Sequence, residues 1–289
     1  MKIFKLVQDI YTLVLTKRAP PGVDVEKEID AFGEAVKDLM RKEFLNKSFD
    51  ARKLRLSNIG RDDRYLWNHY HSKAKQKYRP ENLIKFMYGH LIEEMLLFLT
   101  KMSGHQVTHE QHPCTVGDIN GSMDCKIDGV VTDVKSTSTY GFKKFKEGTL
   151  AWDDDFGYVA QIKAYAHSEG ETKYGWLAMD KQNGHLTYLL YDEQDTQAPI
   201  HKDISYSIED RVKHINQVVK QPEPPKHCHD PVPDGKSGNL KLDTGCSYCH
   251  FKKVCWPEVR GFVYSNGPRF LVKVVNEPNV PEIPNEQIE

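Results

Sequence analysis

Asp128-Gly129, set between Cys125-Lys126-Ile127 and Val130-Val131-Thr132, constrains this chain more tightly than any other dipeptide in it. A two-residue Asp-Gly loop needs φ > 0 at both positions and is a strong hairpin signal, so residues 121–136 are predicted to form a β-hairpin with Ile127 facing Val130. Counting back from that pair sets Asp124 opposite Asp133. Side chains alternate with period two, so Met123, Cys125, Ile127, Val130, Thr132 and Val134 share a largely apolar face, while Ser122, Asp124, Lys126, Val131, Asp133 and Lys135 share the other.

Carboxylates directly opposite one another on a sheet repel, at a cost of about 0.2–1 kcal/mol, and need a compensating charge. Two sources are open. A divalent cation between Asp124 and Asp133 is one; Lys126 and Lys135, diagonal neighbours acting as an ordinary solvated charge cluster, are the other.

With 289 residues, 39% hydrophobic and 28% charged, the chain has material for one large domain or two modest ones. It contains no apolar run of 18 residues, and Gln8 and Asp9 interrupt the stretch where a signal peptide needs its apolar region, so a soluble, cytoplasmic protein without membrane partners is expected. A net charge of −1 provides no global attraction for nucleic acid, which leaves local patches. One is Lys73, Lys75, Lys77 and Arg79; the other is Lys143, Lys144 and Lys146, interleaved with Tyr140, Phe142 and Phe145. Each reads as a solvated face or as a charged groove with stacking rings.

Helical periodicity covers residues 1–17 and 25–46, broken by Arg18-Ala-Pro-Pro-Gly22. Pro80 and Gly104 bracket a third, mostly apolar helix to about Met102. Asp153-Asp154-Asp155 precede a helix from Phe156 to His167, Asn183-Gly184 marks a second hairpin, and a helix near residues 207–219 ends at Gln221-Pro-Glu-Pro-Pro225. The expected organisation is a helical region (1–79), a core (80–220), a cysteine-bearing segment packed on it (221–275), and a Pro-, Glu- and Asn-rich tail (276–289) that is flexible or lies along the surface.

The long helix holds Gly89-His-Leu-Ile-Glu93-Glu94 inside its apolar run. A lone buried carboxylate is costly unless it is paired or binds a metal, and Gly89, one turn before Glu93, suggests a close approach on that face. For Glu94 the simpler reading is exposure on an amphipathic surface. His90 reads as a locally packed or hydrogen-bonded residue.

Gly89-x3-Glu93, Gly121-x2-Asp124, Asp133-Val134-Lys135 and Gln161-x3-Tyr165 occur in that order. Together they resemble the PD-(D/E)xK nucleases, specifically the RecB-type branch that includes phage exonucleases and the CRISPR-adaptation nucleases. The resemblance spans roughly residues 57–256. It implies an α/β restriction-endonuclease-like core with a mixed central sheet flanked by helices, and a metal-dependent DNA exonuclease acting on free ends in degradation, replication or recombination. A structure-specific or restriction-type endonuclease and a non-catalytic nucleic-acid-binding or assembly module are the alternatives.

On that resemblance Glu93, Asp124, Asp133 and the Val134 carbonyl would hold Mg²⁺ or Mn²⁺, whose preference for hard oxygen ligands agrees with the residue types. Lys135 would orient or deprotonate the attacking water, and Gln161 and Tyr165, at i and i+4, would share a helix face toward a phosphate or base. The residues alone leave a second reading, with Tyr165 in the core and Gln161 on the surface.

Cys246-x2-Cys249-x5-Cys255 has the spacing of a thiolate site and resembles the carboxy-terminal cysteines of branch members that carry a four-iron four-sulfur cluster. The fourth cysteine of that pattern would fall at residue 62, which is Asp here. Cys228 is the natural replacement, in a Cys₄ site for the cluster or for Zn²⁺, and if the metal is zinc His227, His229 or His250 could substitute as a ligand. Cys114 and Cys125 read as structural. Asp234-Gly-Lys-Ser-Gly238 lacks the earlier glycine of a P-loop, since residue 230 is Asp, so no ATP site is expected. Nothing in the chain specifies an interface, and a homo-oligomer is left open.

Overall fold

A computed structural model of the chain describes residues 2–45, 54–72, 80–194 and 207–288. It divides into two compact units. The first contains residues 1–50, 54–60 and 78–213; the second contains 51–53, 61–77 and 214–289.

In the first unit, α1 (Leu6–Thr16) turns Leu6, Ile10 and Leu13 inward at helical spacing, and α2 (Val25–Leu45) follows the Pro20-Pro21-Gly22 break. α4 (Pro80–Met102) ends where Gly104 adopts φ +85° and its N–H donates to the Lys101 carbonyl. The central sheet is formed by β1 (Val107–Thr108), β4 (Cys125–Ile127), β5 (Val130–Thr137), β6 (Lys173–Asp180) and β7 (Leu186–Asp192), in the order β1-β4-β5-β6-β7. β5 and β6 are parallel and the other pairs antiparallel. A parallel pair needs a crossover, here provided by α5 (Thr139–Lys146) and α6 (Tyr158–Ser168). The mixed central sheet flanked by helices that the resemblance implied is present.

One sheet face, with Cys125, Ile127, Val130, Val134 and Leu177, packs against Leu6 and Ile10 of α1 and Ile92, Leu96 and Leu97 of α4. The opposite face meets α5 and α6, and there Trp176 is fully buried with Phe145, Tyr174 and Tyr191 around it. The face expected to be polar is therefore not solvated: Val131 is 0% and Asp133 1% exposed, because the crossover helices cover it.

The Asp128-Gly129 turn has φ +48° and +84°, as both positions of that turn type require, and the pairs Ile127–Val130, Lys126–Val131 and Cys125–Thr132 follow. The ladder stops there. Asp124 does not pair with Asp133; it lies between β4 and a separate hairpin of β2 (His112–Val116) and β3 (Ile119–Met123), to which Gly121 belongs.

The second unit contains α3 (Asp63–His71) and an antiparallel sheet of β8 (Val232–Pro233), β9 (Leu240–Lys241), β10 (Arg260–Tyr264), β11 (Gly267–Lys273) and β12 (Glu282–Ile283), in the order β12-β10-β11-β9-β8. The tail expected to be flexible supplies β12, which pairs with Gly261 and Phe262, while Arg260 Nε donates to Glu282 at 2.8 Å. Ile288 is 4% exposed in a small core with Leu242 and Val259. Proline-rich composition suits an edge strand as well as a disordered tail, and here pairing on one side and the Ile288 anchor decide for the strand.

Candidate active site

Where the β4–β5 ladder ends, side chains replace backbone rungs. Asp124 Oδ2 accepts from the Val134 N–H at 2.7 Å, which ties a non-strand residue to β5. Asp133, the next residue on the helix-covered face, lies beside Asp124 and has its Oδ2 2.7 Å from Lys135 Nζ. Lys135 Nζ stands 5.0 Å from the centre of the Tyr158 ring at the start of α6. Gln161 Nε2 donates to Asp133 Oδ1 at 3.2 Å and to the Tyr165 hydroxyl at 3.3 Å. Glu93 arrives from α4, where Gln111 Nε2 donates to its Oε1 at 2.9 Å.

Three carboxylic acids set this close together cannot all ionise cheaply in so little water, and Glu94, next to Glu93 on α4, is the fourth acid nearby. Burial, then the neighbouring Asp124 and Asp133, pushes Glu93 up to about 8 from an ordinary 4.5. Burial and Asp133 push Asp124 up to about 7, against the pull of Lys135 and the Val134 N–H. Asp133 is also raised, by burial, with Lys135 opposing. Burial alone would lower the pKa of Lys135, but Asp133 and Asp124 more than offset it and hold the ammonium charged. Glu94, the fourth acid, is half-buried rather than fully exposed, and burial and Glu110 raise it.

Gly121 and Gly89 differ in what they permit. A Cβ at Gly121 would lie 2.7 Å from Leu56 Cβ and 3.0 Å from Tyr165 Cε1, so the bare backbone admits the Tyr165 ring beneath the site. A Cβ at Gly89 meets only Ser136 Oγ at 3.5 Å, an ordinary contact; the close approach expected on that face is absent.

Glu93, Asp124, Asp133, Lys135 and Gln161 are thus brought together. Tyr165 joins them from the core at 2% exposure, and Gln161 is 8% exposed, so neither is a surface residue. Lys126, one candidate counter-charge, pairs instead with Glu169 at 3.0 Å and Glu171 at 3.1 Å; Lys135 alone of the two faces the aspartates. His90 lies 3.3 Å from Glu43, a local contact. Gln111 was not legible in the sequence. Its φ of +50° and that of His109, +55°, mark a tight turn whose Gln111 N–H donates to the Asp124 carbonyl at 2.9 Å, bracing Asp124 and Glu93 together.

No family model and no curated protein matches the chain. Among solved structures, the chain is similar to the alkaline exonuclease LHK-Exo from Laribacter hongkongensis at 13% identity and a TM-score of 0.38, over 58% of this chain and 90% of that one. The same exonuclease in complex with dAMP gives 12% identity and a TM-score of 0.39 over the same shares. A likeness of this size carries no argument about activity.

Among the described residues, no group of three or more His, Cys, Asp or Glu side chains is placed to hold a metal ion. The donor chemistry of the acidic site nevertheless fits a hard divalent cation. Its oxygens belong to carboxylates that repel one another, and the buried Asp133 Oδ2 makes no well-directed hydrogen bond despite its contact with Lys135.

In the second unit, Cys228, Cys246, Cys249 and Cys255 line one small cavity with Tyr65 and Asn68 of α3. Each sulfur accepts at least one N–H. Arg64 Nε (3.3 Å) and Asn68 Nδ2 (3.5 Å) donate to Cys255 and the Phe251 N–H (3.4 Å) to Cys249, while the backbone of Tyr65 serves Cys228 and that of His229 serves Cys246. Asp62 stands beside Cys228 and 3.4 Å from His229 Nε2, so the residue in place of the expected cysteine does reach the cluster. Burial, then Asp62, pushes Cys228 up to about 12, and burial with Cys249 pushes Cys246 up to about 11. His227 contacts the Cys255 carbonyl at 3.1 Å, and His250, lowered to about 4 by burial and His69, packs on Phe251. Cys114 and Cys125 are buried elsewhere, as expected of structural residues.

The patch Lys73, Lys75, Lys77 and Arg79 lies outside the described residues. In the other patch, Phe142 (6%) and Phe145 (2%) are core residues, leaving Tyr140 as its exposed ring. No helix among the described residues is long and apolar enough to cross a membrane.

Proposed function

We propose that this chain is a Mg²⁺- or Mn²⁺-dependent deoxyribonuclease that removes nucleotides from DNA ends. The observation that carries the reading is the convergence of Glu93, Asp124 and Asp133 beside the charged Lys135, at a point where three carboxylates are each pushed toward their protonated forms. Such a site is costly in itself and becomes favourable when a cation replaces the protons.

Glu93, Asp124 and Asp133, with the Val134 carbonyl implied by the resemblance, would hold the ion. When bound, it supplies a Lewis acid for the phosphodiester and a water of lowered pKa. Lys135, 2.7 Å from Asp133, would orient or deprotonate the attacking water and, while charged, balance developing negative charge on the phosphate. Gln161 fixes the orientation of Asp133, and Gln111 that of Glu93. In the second unit the four cysteines, with an N–H for each sulfur, would form a structural metal centre, iron–sulfur or zinc.

The test is hydrolysis of end-labelled linear DNA by the full chain with Mg²⁺, with Mn²⁺, and with EDTA. Metal-dependent nucleotide release is expected, and Lys135→Ala should reduce it about 10²-fold or more while the protein still melts cooperatively. Cutting of circular single-stranded DNA would make the enzyme an endonuclease. No cleavage of any DNA by folded, metal-replete protein would overturn the reading.

A further inference from the structure

Beside the acidic site, the segment joining β5 to α6 leaves large rings in water. Tyr140 is 70%, Trp152 59% and Phe156 46% exposed. Lys144 joins two of these neighbourhoods: its ammonium lies 5.2 Å from the Tyr140 ring centre and 2.7 Å from Asp153 Oδ2, the residue after Trp152, and the Tyr140 hydroxyl also donates to Asp153 at 3.3 Å. Phe156 stacks on Tyr158 at 5.5 Å and 22°, and Tyr158 lies under Lys135 at 5.0 Å. Phe156 and Tyr158 therefore lead from the surface to the lysine of the acidic site, and Tyr140 and Trp152 lie on the same connecting segment to either side of Asp153's contacts. The loop that carries Phe156 is pinned, since Asp154 accepts from the Tyr158 and Val159 N–H groups at 2.9 and 2.8 Å.

We infer that Tyr140, Trp152 and Phe156 form a stacking surface for the unpaired bases of a single-stranded DNA end, guiding that end to the acidic site. This rests on the nuclease reading above and names its substrate class. Exposed rings grouped in this way mark a binding surface, and unpaired bases offer π-faces that a duplex hides except at its terminus. Lys143, 68% exposed, on the Tyr140 side of α5 and loosely paired with Glu147 at 3.8 Å, and Lys146, also exposed, supply charge for the phosphates, since a surface pair of that length is worth little; Lys144 meanwhile neutralises Asp153. The sequence pattern offered Tyr140, Phe142 and Phe145 as stacking rings; Tyr140 is kept, while Phe142 and Phe145 are buried and Trp152 and Phe156 take their place.

The experiment uses the full chain with Lys135→Ala, so that DNA survives, and measures anisotropy of a labelled oligothymidine and of a blunt duplex of equal length. The single strand should bind more tightly. Trp152→Ala should weaken it about 5- to 100-fold, in line with stacking on one ring, and the added changes Tyr140→Ala and Phe156→Ala should weaken it further, with the duplex changed less than twofold. Equal melting temperatures establish that the variants fold, as expected for exposed positions. The proposal fails if the triple variant binds oligothymidine like its parent, if duplex and single strand lose affinity equally, or if the parent binds no single strand. Loss of single-strand binding in the triple variant, with no cleavage by the unsubstituted protein under any metal, sinks the nuclease reading and leaves the surface standing. Cleavage by the unsubstituted protein with undiminished binding by the triple variant does the reverse.

Discussion

At the scale of the residue, Glu93 carries the sharpest consequence. Its proton is held up to about pH 8 in the folded chain, against an ordinary value of 4.5. Between those values the folded state binds more protons than the unfolded state, so this group makes stability fall as pH rises from about 4.5 to about 8. Asp124, pushed up to about 7, acts in the same direction. The melting temperature of EDTA-treated protein should therefore decline across that window, and Glu93→Gln should flatten the decline. Mn²⁺ should raise the melting temperature most at the alkaline end, where the cation no longer competes with protons. A melting curve indifferent to pH and to Mn²⁺ would show that the carboxylates do not converge in solution. The residue types were legible in the sequence, as was the Asp128-Gly129 register. Gln111 was not, because its left-handed backbone and its bond to Glu93 arise from a turn with no local signature.

At the scale of the element, two glycines one motif apart have opposite roles. Gly121→Ala drives a methyl into Leu56 and the Tyr165 ring, and should cost about 1–3 kcal/mol in urea unfolding, as overpacking does. Gly89→Ala finds ordinary contact space within α4 and should gain up to about 1 kcal/mol from helix propensity. Equal effects from the two would contradict this packing. Periodicity and punctuation located α1, α2, α4, α6, α7 (Ile208–Val218), β6 and β7. The β2–β3 hairpin and α5 escaped notice, since short elements give periodicity too few residues to register and their pairing is set by contacts elsewhere in the chain.

At the scale of the whole molecule, the chain carries two separate concentrations of ligand-type chemistry, carboxylates in the first unit and thiols in the second. The cysteine site should retain metal on purification. Elemental analysis and visible absorbance are expected to show either iron with a broad band near the thiolate-to-iron region or colourless zinc, and Cys228→Ser or Cys246→Ser should lose most of it. Asp62→Asn should keep it, because the N–H donors and all four sulfurs remain. A metal-free parent protein, with iron and zinc both offered during expression, would argue for buried thiols only.

By itself the sequence determined the local geometry: a turn that needs positive φ, an alternation that separates Asp133 and Lys135 from Val130 and Val134, and a helix that carries Glu93. These are short-range consequences of sterics and side-chain period. Only the tertiary structure decided how dry the acidic site is, because that depends on α6 closing over β5, and only it decided that Lys135 rather than Lys126 meets the aspartates, because Glu169 and Glu171 arrive from the end of α6 to claim the latter. The tail followed the same rule: its composition allowed disorder, and a free edge on β10 with a pocket for Ile288 made it a strand.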